Sequence, residues 1–501
     1  MPTFPSVDDR RDGSLGAALL FERGSASRGG RATQEPQVAR RIARDLQVLA
    51  VACGSLVLVA VLTQLISPSS ETAVSSADHH HHHHPELAEA STYKLVPTPL
   101  LGLNPDRKWH NAELAASYDR PTIGSDLVYL SPPASSEGDE GGFESGGRFL
   151  GLTDATPLKS KCPGDHRMTF LPFPDFSPGM VRLRLEPGRD GKGAMEMDSA
   201  IPLRGRSRFL TSTPPRSTGG SPEFLNSTFW GPEDENDAEC RHRVSADPGG
   251  ADTEGLAGPL PDGSFIVAEE YGPSLMRVAA NGTVLVRFSP RPLNLPKAYY
   301  PVRPVLPSIL VERRHNKGFE SAFLLKPEQS QLACGILQSP LGPQKHSTVV
   351  RVVCVDLDRM EMAAVWLLRL DDRHRMVNSA TELGEKSFAL LERHHGEGTV
   401  YGVDVTGATN VLGHPLLETL EFESPDFDFA GAGISLLEKE KILEYPNNFL
   451  EDRGIVLSEK MEGIARVDPR TLALSNDNDY GKEGDSFVYV VQFKDPVLDW
   501  I

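Results

Sequence analysis

The sequence predicts an all-β chain folded as a β-propeller of about six blades, and three observations predict it. Short apolar runs recur from about residue 92 onward, each bounded by turn chemistry and with almost no helical interval between them. Gly 45 and Pro 40 in 501 residues demand frequent turns and exclude a helical bundle. A short string also returns along the chain: Thr253-Glu254-Gly255-Leu256-Ala257 reappears as Met461-Glu462-Gly463-Ile464-Ala465, and more weakly as Phe319-Glu320-Ser321-Ala322-Phe323. The first and last copies each lead through a strand to an acidic turn, Glu269-Glu270-Tyr271-Gly272 and Asn476-Asp477-Asn478-Asp479-Tyr480-Gly481, which is the grammar of a propeller blade.

Taken in order, residues 1–45 are polar and Gly/Ser-rich and read as a disordered cytosolic tail. Leu46 to Ile66 then runs without a charge, long enough as a helix to cross a bilayer. Arg40, Arg41 and Arg44 precede it, whereas Glu71 and Asp78 follow. The positive-inside rule makes this a signal anchor, with the bilayer as partner of residues 46–66. A single-pass type II topology follows, with the C-terminal domain outside the cytosol, in the secretory pathway or at the cell surface. Residues 67–91 read as a stalk that holds six consecutive histidines, His79 to His84, and receives no catalytic role. Residues 92–501 form the expected propeller.

Within that region Ser264 to Ala268 follows a Pro261-Asp262-Gly263 turn. Leu275 to Ala280 and Thr283 to Phe288 flank Asn281-Gly282, a two-residue hairpin signal. Strands are further expected over Thr348 to Val355, Ser387 to Leu391, Thr399 to Val405, Thr471 to Leu474 and Ser486 to Phe493. Ile434 to Tyr445 alone reads as helical. The spacing between repeated acids exceeds a bare blade, which implies loop insertions and one unmarked blade around residues 378–412. Residues 155–250 read as long loops around one degenerate blade. No C-x-x-C occurs, so Cys162, Cys240, Cys334 and Cys354 offer either small buried side chains or bridges. Cys162 with Cys240 is the favoured loop bridge, since both lie in Pro/Gly-rich stretches. Asn226-Ser227-Thr228 and Asn281-Gly282-Thr283 are glycosylation sequons.

Chemistry enters through the repeated acid. The innermost strand of every blade runs along the central channel, so a residue recurring at one position collects on one axis. Carboxylates gathered there repel one another unless a cation neutralises them. Oxygen-only donors suit Ca²⁺ or Mg²⁺. The metal-ligand candidates are Glu254, Glu320, Glu462, Asp477 and Asp479, with Asp154 a weaker channel candidate. Glu312-Arg313-Arg314-His315-Asn316-Lys317-Gly318 is the densest basic cluster beyond the anchor, so Arg313, Arg314 and Lys317 are candidates for binding phosphate oxygens. Glu270, Glu392 and His394 are the candidate acid–base groups. Lys+Arg 51 against Asp+Glu 69 gives a formal charge of −18, which excludes a nucleic-acid sleeve. No G-x-S-x-G elbow, P-loop, H-E-x-x-H or G-x-G-x-x-G is present.

These residues resemble a known family, the phytase-like domain, described as esterase-like activity of phytase. The resemblance lies in Glu254-Gly255-Leu256-Ala257, Pro261-Asp262-Gly263-Ser264-Phe265 and Glu269-Glu270-Tyr271-Gly272-Pro273-Ser274. It continues in Asn316-Lys317-Gly318-Phe319-Glu320, Leu337-Gln338-Ser339-Pro340-Leu341, Leu391-Glu392-Arg393 and Glu462-Gly463-Ile464-Ala465 with Asn476-Asp477-Asn478-Asp479-Tyr480-Gly481. It is clearest over residues 252–493. Gly124-Ser125-Asp126-Leu127 and Thr153-Asp154 look like its first blade. The resemblance implies a propeller whose acids hydrolyse phosphoesters of a small-molecule substrate. The chain departs from the pattern at Ser321, where Gly is favoured, and at Ala268-Glu269, where Ser-Asp is favoured. A membrane-tethered binding propeller with a structural metal is the competing expectation, and a metal-dependent lactonase or carboxylesterase a third.

Overall fold

A computed structural model of the chain describes residues 85–96, 122–131, 147–154, 160–162, 165–171, 175–215, 228–231, 242–293, 295–327, 330–343, 346–481 and 483–500. The expected tail (1–45), anchor (46–66) and six-histidine run lie outside these residues, as do Cys240 and Asn226. Among the described residues no helix is long and apolar enough to cross a membrane.

Strand β1 (Leu87–Leu95) opens the described chain, ahead of the boundary expected at residue 92. Blade I follows as β2 (Asp126–Ser131), β3 (Gly147–Leu152), β6 (Gly179–Glu186) and β7 (Lys192–Pro202), interrupted by a small sheet of β4 (Ser160–Cys162), β5 (Asp165–Phe170), β8 (Thr228–Gly231) and β9 (His242–Arg243). Blade II comprises β10 (Thr253–Ala257), β11 (Phe265–Glu269), β12 (Ser274–Val278) and β13 (Val284–Pro290), edged by β14 (Val302–Leu306). Blade III is β15 (Phe319–Leu325), β16 (Leu332–Leu337), β17 (Val349–Asp356) and β18 (Glu361–Arg369). Blade IV is β19 (Met376–Glu382), β20 (Ser387–His394), β21 (Glu397–Asp404) and β22 (Glu438–Tyr445). Blade V takes three strands from the C-terminal end, β23 (Met461–Asp468), β24 (Thr471–Asn476) and β25 (Phe487–Phe493), and its fourth from β1. Because β1 also pairs in parallel with β7, blades V and I merge into one eight-stranded sheet. The two distant ends of the propeller are thereby hydrogen-bonded into a closed ring.

Five innermost strands meet around the axis in the order β2, β10, β15, β19, β23, with β23 returning to β2. The described residues therefore form five blades rather than about six. Five hydrophobic clusters fill the five gaps between them. Val128, Leu150 and Met180 of blade I pack with Val267 and Met276 of blade II. Ile266, Leu275 and Phe288 pack with Phe319 and Val353. Phe323 of blade III stacks on Phe388 of blade IV at 4.2 Å between centroids. Leu391 and Val400 meet Ile464 and Leu474, and Ala473 and Val490 meet Phe149 and Val181. Burial of apolar surface on both faces of every blade is what holds the ring.

Blade IV is the unmarked blade expected around residues 378–412, and the remaining extra length is a loop insertion within it. Residues 405–437 leave blade IV and cover blade III, where Val411, Phe422 and Phe429 join its core. There the Arg351 guanidinium, fully buried, donates to both oxygens of Glu423 at 2.6 and 2.8 Å. The helix expected over Ile434 to Tyr445 is instead the outer strand β22, paired antiparallel with β21. Its alternation of Glu and Lys matches the faces of a half-exposed strand, with Glu438 and Glu440 outward. The Asn281-Gly282 hairpin forms as expected, Gly282 N donating to Ala279 O. Cys334 and Cys354, register partners on β16 and β17, form a buried cross-strand disulfide that the sequence left open. Cys162 is also disulfide-bonded.

On the axis the inner strands approach closely enough to require glycine. A Cβ at Gly255 would lie 2.5 Å from the carbonyl carbon of Ser321 and clash with Ala322 N, both main chain of the next inner strand. Gly255→Ala is expected to cost about 1–3 kcal/mol by overpacking. The measurement is the urea midpoint, with unchanged denaturant sensitivity marking a pure stability loss.

Candidate metal centre at the channel mouth

Four of the five inner strands share an irregularity near their start. Pairing with the second strand skips a residue between Thr253 and Gly255, Phe319 and Ser321, Val377 and Ser379, and Met461 and Gly463. The skipped residues are Glu254, Glu320, Asn378 and Glu462. A β-bulge leaves its extra residue unpaired and re-aims its side chain. The repeated glutamate is thus the bulge residue of its blade, and Ser125 holds the corresponding place in blade I, since Asp126 pairs with Leu152 as Gly255 pairs with Ala268.

Just below, the axis is closed by a buried carboxyl. Asp126 accepts from Leu127 N at 2.8 Å, Leu256 N at 2.7 Å and Ser379 Oγ at 2.7 Å, and Ser379 Oγ in turn accepts from Ile464 N at 3.1 Å. Burial holds its pKa well above the usual range, against the lowering effect of these bonds. This knot ties blades I, II, IV and V and forms the floor of the site.

A second set of residues joins the bulges. Following the register, the residue two beyond the partner of the post-bulge position is Asp154, Glu270, Gln338, Arg393 or Asp477. The mouth therefore combines Glu254, Glu320, Glu462, Asp154, Glu270 and Asp477 with a single guanidinium, Arg393, at equivalent positions. Two groups bring carboxylate oxygens within 4.8 Å of one another: Asp154, Asp252 and Glu254, and Asp154, Asp477 and Asp479. Asp154 belongs to both.

The electrostatics differ around the ring. Burial raises the Glu254 carboxyl well above its ordinary pKa, and Asp154, Glu320, Asp252 and Glu270 push it the same way. Glu320 is raised by burial, then by Glu270 and Glu462, while Lys317 and Arg393 oppose the shift. Its Oε1 accepts from Gln338 Nε2, but its Oε2 is buried with no hydrogen-bond partner. Glu462 is pushed up to about 7, chiefly by burial, although Arg393 donates to it at 2.5 Å and the Lys460 ammonium lies 3.7 Å away. Asp477 goes the other way, to about 2. Burial would raise it, but Lys460, Thr122 Oγ1 and the Asp479 amide outweigh that effect.

All five metal-ligand candidates lie at the mouth, with Glu270. The remaining candidates divide. Lys317 Nζ bonds Gln338 beside Glu320, and Arg314, half-buried, reaches Ser339 Oγ at 3.3 Å. Arg313 is a buried clamp instead: Nε donates to Tyr271 O at 3.1 Å and Nη1 to Arg314 O at 2.9 Å, fixing the turn that carries Glu270. Glu392 is fully buried in an ion pair with Lys439 at 2.5 Å, and its other oxygen accepts from Asp371 N at 3.4 Å. His394 packs against His395 and His374 at 4.2 and 5.3 Å between ring centroids. Neither Glu392 nor His394 is among the groups that most strongly shift Glu254, Glu320 or Glu462. Asp252 was not singled out from the sequence. Its signal was present as an acid two residues before the repeated Glu254.

Oxygen-only donors in two groups that share Asp154, with the partnerless buried oxygen of Glu320, fit a hard divalent cation. Fold and site together define an all-β propeller with an acidic, cation-competent mouth. The chain belongs to the phytase-like family: the family model described as esterase-like activity of phytase matches residues 165–480. No curated protein matches it. Among solved structures it is similar to the Dos1 propeller at 8 % identity, covering 71 % of this chain and 67 % of that one with a TM-score of 0.27. A Dyadobacter fermentans protein of unknown function is 8 % identical, with 81 % and 99 % covered and a TM-score of 0.33. Hydrazine synthase of Kuenenia stuttgartiensis is 10 % identical, with 64 % and 57 % covered and a TM-score of 0.23.

Proposed function

We propose that the channel mouth is a divalent-cation site, for Ca²⁺ or Mg²⁺, at which phosphoesters of a small-molecule substrate are hydrolysed. The observation that carries this reading is geometric: carboxylate oxygens of Asp154, Asp252 and Glu254 lie within 4.8 Å of one another, and Asp154 joins a second such group with Asp477 and Asp479. A cluster of that kind must hold either protons or an external cation. Asp154, Asp252 and Glu254 would hold the ion. The chemistry it supplies when bound is neutralisation of phosphoryl charge and activation of water.

The chain's own groups do the rest. Lys317 and Arg314, on the same rim, orient the anionic substrate. Burial raises the pKa of Glu320 and so favours its protonated form, which suits it to protonate the leaving oxygen. Arg393, bonded to Glu462, limits negative charge on the far side of the mouth. An overall charge of −18 would repel a polyanion, which makes a bound cation a requirement for substrate approach. The buried Cys334–Cys354 bridge favours an oxidising compartment, consistent with a type II topology in which residues 46–66 anchor the domain outside the cytosol.

Turnover of p-nitrophenyl phosphate by the purified chain tests the reading. Activity is expected to vanish with EDTA and to return on adding Ca²⁺. Hydrolysis that persists after exhaustive chelation would sink the mechanism. Cation binding with no ester turned over would leave a binding propeller with a structural metal.

A further inference from the structure

Strand β1 closes the ring unevenly. It pairs with β25 from Leu87 to Lys94, but with β7 only from Thr92 to Leu95. Along the part of β1 that β7 has not joined, β1, blade V and the connection from β6 to β7 enclose a cavity of about 290 Å³. That is roughly ten times the ~30 Å³ share of one water, and close to the ~300 Å³ at which small-molecule sites begin. It has no residue in common with the acidic mouth.

One wall is a polar row of the sheet. Glu89 pairs with Gln492 and Gln492 with Thr471, so these side chains line up across β1, β25 and β24, with Ser91 in the next row opposite Val490. Paired residues share a face of the sheet. On this face Tyr93 and Val488 lead into the core between blades V and I. The facing wall is main chain. Gly191 holds φ at +69°, and a Cβ on Gly193 would lie 2.5 Å from the Tyr93 ring, so neither place admits a larger residue without strain.

The chemistry of the polar wall selects the ligand. Among the described residues that line the cavity, Glu89, Ser91, Tyr93, Thr471 and Gln492 are polar, and none is Lys, Arg or His. Hydroxyls and a primary amide both donate and accept, and a carboxylate accepts. An anion would meet the Glu89 carboxylate with no base on the wall to hold it. Thr471 marks where a partner belongs: it is 0 % exposed, and its Oγ1 has no hydrogen-bond partner in the protein. A buried hydroxyl of that kind is a cost to the fold unless something bound supplies the bond.

We infer that this cavity binds a neutral polyhydroxylated molecule of hexose size, whose hydroxyls meet the Thr471 hydroxyl, the Gln492 amide and the Glu89 carboxylate. Such a ligand touches three strands and the β6–β7 connection at once, so it also fastens the strand that closes the ring.

The test is isothermal titration of the full-length protein with D-glucose, D-galactose and D-mannose. At least one is expected to bind saturably, one molecule per chain, and to raise the melting temperature as it saturates. Thr471→Val exchanges the hydroxyl for a methyl group. Because Oγ1 has no partner in the protein, this variant is expected to melt at or above the wild-type temperature, yet to bind the hexose about tenfold more weakly, the worth of one buried hydrogen bond. Gln492→Leu is expected to weaken binding by a similar factor. No saturable binding of any of the three hexoses, affinity unchanged in both variants, or a Thr471→Val chain that melts well below wild type would each overturn the inference. Saturable binding of ethylammonium in place of the hexoses would overturn it too, by making Glu89 the anchor of a cation.

Discussion

Asp154→Asn is expected to reduce phosphoester hydrolysis by about 100-fold or more, since electrostatic stabilisation by a catalytic cation is worth several kcal/mol and each ~1.4 kcal/mol is tenfold. Among the described residues Asp154 alone belongs to both carboxylate groups, so its loss cannot be covered by the other group. The substitution keeps the shape of the side chain and leaves Asp126, the floor, untouched. The same variant should lose most of the stabilisation that Ca²⁺ confers on wild type, about 2.7 kcal/mol at 100 times the dissociation constant. Loss of activity with full retention of Ca²⁺ stabilisation would assign Asp154 a role other than ion binding. His394→Ala is the matched control. Its imidazole packs on other histidines away from the acids, so its activity should stay within about twofold. If Asp154→Asn keeps near-wild-type turnover, the mouth is not the reacting centre.

The repeated glutamate was legible because a bulge at the start of an inner strand asks for the same local sequence each time. A long acidic side chain is followed by a small residue that lets the next strand approach, as in Glu254-Gly255, Glu320-Ser321 and Glu462-Gly463. Blade IV kept the small residue, Ser379, but has Asn378 before it, and this hid one copy and doubled the apparent interval between Glu320 and Glu462. The excursion over residues 405–437 widened it further, so the blade count came out high. Asp154 was harder to weigh because its blade offers Ser125 where blades II, III and V carry Glu, and only the register reveals that Asp154 and Glu270 are equivalent. Closure by β1 left no local trace: Tyr93 and Val488 are partners across almost the whole chain. Glu392 and His394 looked chemical because they end a strand beside Arg393. Adjacent residues on a strand face opposite ways, so Arg393 turns to the mouth while Glu392 turns into a buried ion pair with Lys439.

Without a divalent cation the folded chain should lose stability as pH rises from about 5 to 8, and saturating Ca²⁺ should reduce that decline, leaving the part due to Glu382, which burial also raises to about 7. The sign follows from the raised carboxyls. Burial pushes the Glu462 carboxyl up to about 7 from an ordinary 4.5, and it also raises Glu254 and Glu320 well above that ordinary value. A group with a raised folded pKa favours folding fully at pH values below its unfolded pKa. It withdraws that contribution as the pH climbs through the folded pKa, because unfolding releases the charge into water. Asp477 carries the opposite sign. Its folded pKa near 2 gives a contribution present above 3.8 and lost only as the pH falls toward 2, so it does not offset the decline at neutral pH. Ca²⁺ competes with protons for the same oxygens, so its stabilising effect should be small at pH 5 and large at pH 8. Urea midpoints at fixed ionic strength, with EDTA or with Ca²⁺, measure both limbs. A Ca²⁺ increment that is constant across this range would mean that the ion binds away from these glutamates.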